Sequence, residues 1–287
     1  MKKFTLKLLS LMLCCIMMLP LIMACGDETD PDEVSEVERF EAMTESEKAF
    51  YILEDISYDN GTGKMGADMT MSIKGTYMGY SYTVSAVAER FMIDNSQEFK
   101  DYTETTITIT MAGMSEVICS KSGWINGKQF VYTDYDGSGN GDGVYSEMSK
   151  EDYIKLQEDE SGDYSDSFGI TKDSCATVTC TKNAQGNWIA TFTDISEEGL
   201  ADFKEMFAAF EPMVDASTLT DVTLTLTVSA SLVPVGISVS FEFSGSNPPV
   251  VELEYDIFYG DEVVIPSIDL SGYEEVDSSD LNGSTNV

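Results

Sequence analysis

Residues 103–111 have the sequence TETTITITM, in which Ile107, Ile109 and Met111 alternate with threonines. Because successive side chains of a β-strand point to opposite sides, this stretch predicts a strand with one apolar and one polar face. Such alternation is typical of antiparallel sheets, whereas strands of parallel sheets tend to be apolar on both faces. The stretch therefore predicts an antiparallel sheet that buries a single face.

The same alternation recurs on either side of this stretch. The Asn126-Gly127 pair between two such runs favours a two-residue hairpin turn, and a last short strand is expected at Glu262–Ile265. Together these runs indicate about ten strands. The apolar positions that share the pattern are Met69, Met71, Ile73, Leu224, Leu226, Ile237, Val239 and Phe241.

Three segments have helical rather than alternating periodicity. Thr44 and Glu47 form a capping-box pattern within residues 34–57, Ser149 is placed to start a short helix, and residues 197–211 predict an amphipathic helix. A sheet with one apolar face needs a cover, and the first and last of these helices are available. The expected fold class is α+β: a large curved antiparallel sheet, or half-barrel, with helices covering its concave apolar face.

The first 24 residues have the features of an export signal. Three lysines precede an apolar core, and the segment contains no acidic residue. It ends in Ile22-Met23-Ala24-Cys25, which resembles a lipobox, the motif whose cysteine is acylated and becomes the new N-terminus. We therefore expect residues 1–24 to be a lipoprotein signal peptide and Cys25 to carry palmitate-type acyl chains. An ordinary cleaved signal is the alternative.

The rest of the chain divides into three parts. Residues 25–36 are acidic and predict a tether, residues 37–270 predict a single domain, and residues 271–287 predict an acidic, disordered tail. With a lipid on Cys25, the domain would stand on the extracytoplasmic face of the cell membrane.

The charge of the chain restricts its partners. The protein has 51 acidic residues, 16 Lys and Arg, and a formal net charge of −35. A nucleic-acid partner is excluded by this acidity, because binding a phosphate backbone needs a basic face. The membrane contact is therefore expected through the lipid anchor, and the sequence identifies no protein partner.

Catalytic chemistry has little support in the sequence. The chain contains no histidine, which removes the commonest general base and metal ligand. No nucleophile elbow, phosphate-binding loop or dinucleotide fingerprint occurs. We expect no enzyme activity and no cofactor.

One loop fits a calcium-binding pattern. Asp136, Ser138, Asn140 and Glu147 occupy positions 1, 3, 5 and 12 of a loop that has glycine at position 6, as in an EF-hand. The loop follows a strand rather than a helix, however, and a flexible hairpin loop explains its glycines equally well.

Three cysteines lie beyond the export segment. They are Cys119, Cys175 and Cys180. Cys175 and Cys180 are five residues apart in a predicted strand, so their side chains point to opposite faces and do not suit a mutual disulfide. A bridge from Cys119 to one of them and three separate thiols are both open.

The layout as a whole resembles the LolA/LppX (LprG-like) superfamily of half-barrel envelope lipoproteins. The resemblance rests on the N-terminal helix, the one-faced strands, the segment GWINGKQFVY at 123–132, the helix before the last strands, and the closing Val263-Val264-Ile265-Pro266. It implies a curved sheet wrapped around helices, with acyl chains held in the gap. The acidity and the long loops at 134–143 and 158–167 depart from that pattern and leave the cargo open.

Two functions are consistent with these features. The first is a membrane-anchored protein that binds a lipid or other hydrophobic ligand, to which the long, adaptable methionine side chains are suited. The alternative is a surface interaction or sensory module with a solid core. The residues expected to line a ligand site are Met69, Met71, Ile73, Ile107, Ile109, Met111, Leu224, Leu226, Ile237, Val239 and Phe241.

The lipobox assignment makes a direct prediction. Cys25→Ser removes the thiol that carries the lipid, so we expect metabolic labelling with a palmitate analogue to disappear. Cys14→Ser is the matched control, because Cys14 belongs to the cleaved segment, and it should leave labelling unchanged. Label that persists in the Cys25→Ser variant would contradict the assignment.

Overall fold

The computed structural model describes residues 35–54, 56, 62–161, 170–208, 214–278 and 281. The expected signal peptide, Cys25 and most of the tether lie outside these residues. In the described part, four α-helices are α1 (Glu36–Glu41), α2 (Glu45–Glu54), α3 (Lys150–Ser161) and α4 (Leu200–Ala208). The strands are β1 (Lys64–Tyr77), β2 (Tyr80–Asp94), β3 (Phe99–Met111), β4 (Met114–Ile125), β5 (Lys128–Asp134), β6 (Asp142–Glu147), β7 (Cys175–Lys182), β8 (Trp188–Ile195), β9 (Leu219–Val228), β10 (Pro234–Phe243), β11 (Val250–Tyr259) and β12 (Glu274–Glu275).

The strands of the described chain form a single open sheet. Their order is β12-β6-β5-β4-β3-β2-β1-β11-β10-β9-β8-β7. The sheet therefore consists of two meanders, β1 to β6 and β7 to β11, joined where β1 pairs with β11. Neighbouring strands are antiparallel except β12 and β6, which pair in parallel. The prediction of a large antiparallel sheet is confirmed.

The strand register aligns apolar side chains into rows across the sheet. One row takes one residue from each of nine consecutive strands, from β7 through β11 and β1 to β4. All nine side chains are apolar, so the sheet has one continuous apolar face. The row is Val178, Phe192, Leu224, Val239, Leu253, Met71, Ala86, Ile107 and Ile118.

Two helices pack against the β7 to β10 part of this face. Phe50 of α2 contacts Phe192 of β8 edge to face, with ring centroids 5.5 Å apart. Phe207 of α4 makes the same kind of contact with Phe241 and Phe243 of β10, at 4.8 and 5.3 Å. Edge-to-face aromatic pairs add about 0.5–1.5 kcal/mol to the area they bury.

The two predicted capping patterns are confirmed, whereas the helix predicted at 197–211 extends over Leu200–Ala208. Thr44 and Glu47 form a reciprocal capping box: the backbone N–H of Thr44 donates to Glu47 Oε2 at 2.8 Å, and that of Glu47 donates to Thr44 Oγ1 at 3.3 Å. The backbone N–H and the hydroxyl of Thr44 both donate to the Glu47 carboxylate and lower its pKa. At the start of α3, Ser149 Oγ accepts the N–H of Asp152 at 3.1 Å.

The opposite face of the sheet carries a second, smaller core. Cross-strand pairing aligns Phe91, Tyr102 and Phe130 with Gly123 between the last two. The Phe91 and Tyr102 rings are stacked at 6.3 Å, and Tyr102 and Phe130 at 6.4 Å. Side chains of the C-terminal segment pack on this cluster: Ile265, Ile268 and Leu270.

The C-terminal predictions need correction. Glu262–Ile265 is not a strand: Gly260–Glu262 is a short 3-10 helix, and residues 263–270 continue without regular structure. The tail predicted from residue 271 does not begin in disorder, because Glu274–Glu275 pairs with β6. The reason is Tyr273, whose ring stacks on Phe130 at 6.3 Å and anchors the segment. Residues 279–280 and 282–287 lie outside the described part.

The outer core depends on Gly123. Its φ is +151°, and a Cβ there would lie 2.1 Å from the carbonyl oxygen of Asp101. We expect Gly123→Ala to lower the free energy of unfolding by more than about 2 kcal/mol, because strain and a backbone clash add. Gly245→Ala is the matched control: φ is +129° with no atom within 4 Å of the new Cβ, so the loss should be about 1 kcal/mol. Urea unfolding of both variants measures the difference, and equal losses would contradict the clash.

Candidate functional site: the apolar face of the sheet

The residues expected to line a ligand site lie together on the apolar face. They come from β1, β3, β9 and β10 and belong to one hydrophobic cluster. Ile109 and Met111 are partly buried against that cluster, and the others are buried. The buried ones are Met69, Met71, Ile73, Ile107, Leu224, Leu226, Ile237, Val239 and Phe241.

Short side chains occupy the middle of this face. Ala86 and Ala88 of β2 are opposite Met71 and Met69 of β1, and Ala67 lies on the same face of β1. All three alanines are at most 2% exposed and lie beside the long, buried side chains of Met69 and Met71. Sequence reasoning missed these positions, because Val87 between the two alanines obscures the alternation.

Beyond β2 the same face also carries polar side chains. Where the row through Met69 and Ala88 reaches β3 and β4, it continues with Thr105 and Ser120. The β3 to β6 part of the face, here named the polar half, therefore carries polar side chains beside the apolar Ile107 and Ile118. The buried polar residues of this face are Arg90, Asp101, Thr103, Thr105, Ser120, Gln129 and Ser146.

A buried ion pair lies at the boundary between the two halves. Arg90 donates to the Asp101 carboxylate twice, from Nη2 at 2.8 Å and from Nε at 3.2 Å, and Tyr153 of α3 donates its hydroxyl at 3.0 Å. Burial opposes the charge on Arg90, yet the carboxylate and its hydrogen bonds keep the pKa of the guanidinium above its ordinary value. The alternation of β2 contained this signal, since Arg90 falls at an inward position.

Gln129 is the residue of the polar half whose hydrogen bonding is incomplete. Its side chain is 8% exposed, and its Oε1 has no hydrogen-bond partner within the described ranges. A buried amide oxygen without a partner is costly. The polar half therefore contains an acceptor that a donor group could satisfy.

The predicted calcium ligands are not all brought together. Asp136, Ser138 and Asn140 share the β5–β6 loop, but Glu147 pairs with Lys128 at the far end of β6. The loop is organised by Asp134, whose carboxylate accepts the N–H groups of Asp136, Gly137 and Gly139. These hydrogen bonds, that from Asp136 above all, lower the pKa of Asp134. Among the described residues, no group of three or more His, Cys, Asp or Glu could hold a metal ion.

The three cysteines of the domain are free thiols. Cys119 is half-buried on β4, while Cys175 and Cys180 are buried on β7. Burial raises the pKa of Cys180 to about 11, and it also raises the pKa of Cys175. Thiols with raised pKa values are poor nucleophiles at neutral pH.

Comparison with known proteins adds no relative. No protein-family model matches the chain, and no curated protein matches it. The similarity to LolA/LppX proteins accordingly remains a prediction from layout. Within the part of the chain that the structure describes, none of the helices has the length and apolar character needed to cross a bilayer.

The buried ion pair makes a stability prediction. Asp101→Asn leaves the Arg90 charge buried without its counter-charge, so we expect a loss of about 3 kcal/mol or more in the free energy of unfolding. Glu41→Gln is the control: the Lys182–Glu41 pair, at 3.4 Å, is about half exposed, and exposed pairs contribute less than about 1 kcal/mol. A loss for Asp101→Asn no greater than the control's would show that the pair is solvated.

Proposed function

We propose that the protein is anchored to the outer face of the cell membrane through Cys25 and binds a lipid or other hydrophobic ligand against the apolar face of its sheet. The observation that carries the proposal is the apolar row that crosses nine strands of one open sheet. The helix contacts described above lie on the β7 to β10 part of this face, and in the proposal a hydrophobic ligand packs on the remainder. In the proposal, the helices cover the concave side as in a half-barrel, and acyl chains share that space.

The local chemistry of the face favours an amphiphilic ligand. Ala67, Ala86 and Ala88 provide depth in the centre, and methionine side chains can adapt to chains of different shape. Each methylene buried there contributes about 0.8 kcal/mol. The polar half beyond β2 offers hydroxyl groups and Gln129 Oε1 to a headgroup. A fatty acid or phospholipid therefore suits the face better than a pure hydrocarbon.

A space-filling substitution tests this proposal. Ala88→Phe places a ring in the centre of the apolar face, so we expect it to displace the ligand while the protein stays folded. Val87→Phe is the matched control, because Val87 is the adjacent residue and is 51% exposed on the opposite face. Solvent extraction of both natively purified proteins, followed by mass spectrometry, measures bound lipid per chain. Circular dichroism during heating reports folding.

The alternative is a surface interaction or sensory module with a solid core. It is favoured by the burial of Met69, Ile107 and Leu224, which are at most 2% exposed. Its contact surface would be the polar face, where Thr191, Thr225 and Ser238 are aligned across strands. Under this alternative the native protein yields no lipid, and Ala88→Phe destabilises it by about 1–3 kcal/mol through overpacking. That combined result would reject the ligand-binding proposal.

A further inference from the structure

Two hairpin tips at one end of the sheet carry exposed apolar side chains. The β1–β2 tip holds Met78 and Tyr80, and the β3–β4 tip holds Met114; these are 80%, 59% and 73% exposed. The tips are neighbours, because Tyr82 of β2 pairs with Met111 of β3. Apolar side chains gathered at such exposure mark an interaction surface more often than single exposed residues do.

Folding of the hairpin does not explain the methionine at the β1–β2 tip. Met78 has a φ of +50° and is followed by Gly79, the arrangement of a two-residue turn whose first position favours Asn, Asp or Gly. Ala112 has a φ of +53° in the corresponding turn between β3 and β4, so the turn forms with a side chain of one carbon. The turn therefore does not need the long side chain of Met78, which is 80% exposed and contacts little of its own protein.

The charge at this end of the sheet differs from that of the whole chain. Residues 69–88, 105–115 and 243–251 contain no Asp or Glu, although the chain has 51 of them. These segments end the hairpins β1–β2, β3–β4 and β10–β11, and their six strands are consecutive in the sheet. Lys74, which is exposed, is the one charged residue in the three segments. The three tips are therefore weakly basic, whereas the chain as a whole is strongly acidic.

We propose that this end of the sheet, formed by the tips with Met78, Tyr80 and Met114 and by Lys74, contacts the surface of a lipid bilayer. Tyrosine and apolar side chains are favoured at the boundary between headgroups and acyl chains. The lack of carboxylates avoids repulsion by anionic headgroups, and Lys74 attracts them. A second copy of the chain would offer the same side chains but no opposite charge, so the bilayer is the better complement.

This contact goes beyond ligand binding, because it concerns how the domain lies against a membrane and needs no occupied apolar face. A loss of bound lipid in Ala88→Phe and a loss of tip contact are separate measurements. Either proposal can fail while the other holds.

Fluorescence quenching by lipid tests the contact directly. The full chain carrying Met78→Cys is labelled with an environment-sensitive fluorophore and reconstituted into phosphatidylcholine vesicles that contain a nitroxide on the acyl chain. Val264→Cys is the matched control, since Val264 is 69% exposed and follows the other end of β11. Wild-type protein treated in the same way gives the blank for native thiols. Circular dichroism confirms that both variants fold.

We expect the fluorophore at position 78 to be quenched about threefold more than that at position 264, because it sits among acyl chains. With anionic phosphatidylglycerol in the vesicles, adding Lys74→Glu should reduce the quenching at position 78. Equal quenching at the two positions overturns the proposal. An emission shift at position 78 without lipid quenching, and dependent on the protein-to-lipid ratio, assigns the tips to a second copy and overturns it as well.

Discussion

The pairing of β1 with β11 is the constraint on which the rest of the structure depends. Each meander can form from neighbouring hairpins, but this antiparallel pair joins segments almost two hundred residues apart, from Met65 opposite Tyr259 to Lys74 opposite Val250. It sets Met71 opposite Leu253 and thereby makes the apolar row continuous. A slip of one residue would turn the inner side chains of β1 to the outer face, so this register keeps the apolar row continuous across the two meanders.

The local features of the fold were accessible from the sequence. Alternation predicted the face on which Ile107 and Leu224 lie, and Thr44 predicted the start of a helix. The Asn126-Gly127 pair predicted a turn, which the structure confirms with φ values of +54° and +81°. Each of these signals lies within a few residues of the atoms it describes. Alternation predicts on which face of the sheet each side chain lies. For that reason the predicted lining residues share one face.

The contacts between those side chains could not be predicted from the sequence, because alternation gives no information about which strands are neighbours. The Arg90–Asp101 pair needs the β2–β3 register, and the stacking of Tyr273 on Phe130 needs two segments over a hundred residues apart to meet. The structure of residues 273–275 could not be predicted for the same reason: the sequence shows the acidic composition of this segment but not the aromatic surface that Tyr273 contacts. Composition predicts disorder only when no such surface exists.

The unequal ends of the sheet have a consequence for self-association. Strand edges recruit other strands through their unpaired backbone groups. At one margin the short parallel strand β12 and the segment before it, held by Tyr273, already occupy part of the edge of β6; at the other, β7 is the last strand of the sheet. Addition of a further strand is therefore directed to β7. Edge pairing between two copies would therefore join β7 to β7 across a two-fold axis, which uses the more open margin of the described sheet and leaves only the partly occupied β6 edge for further growth.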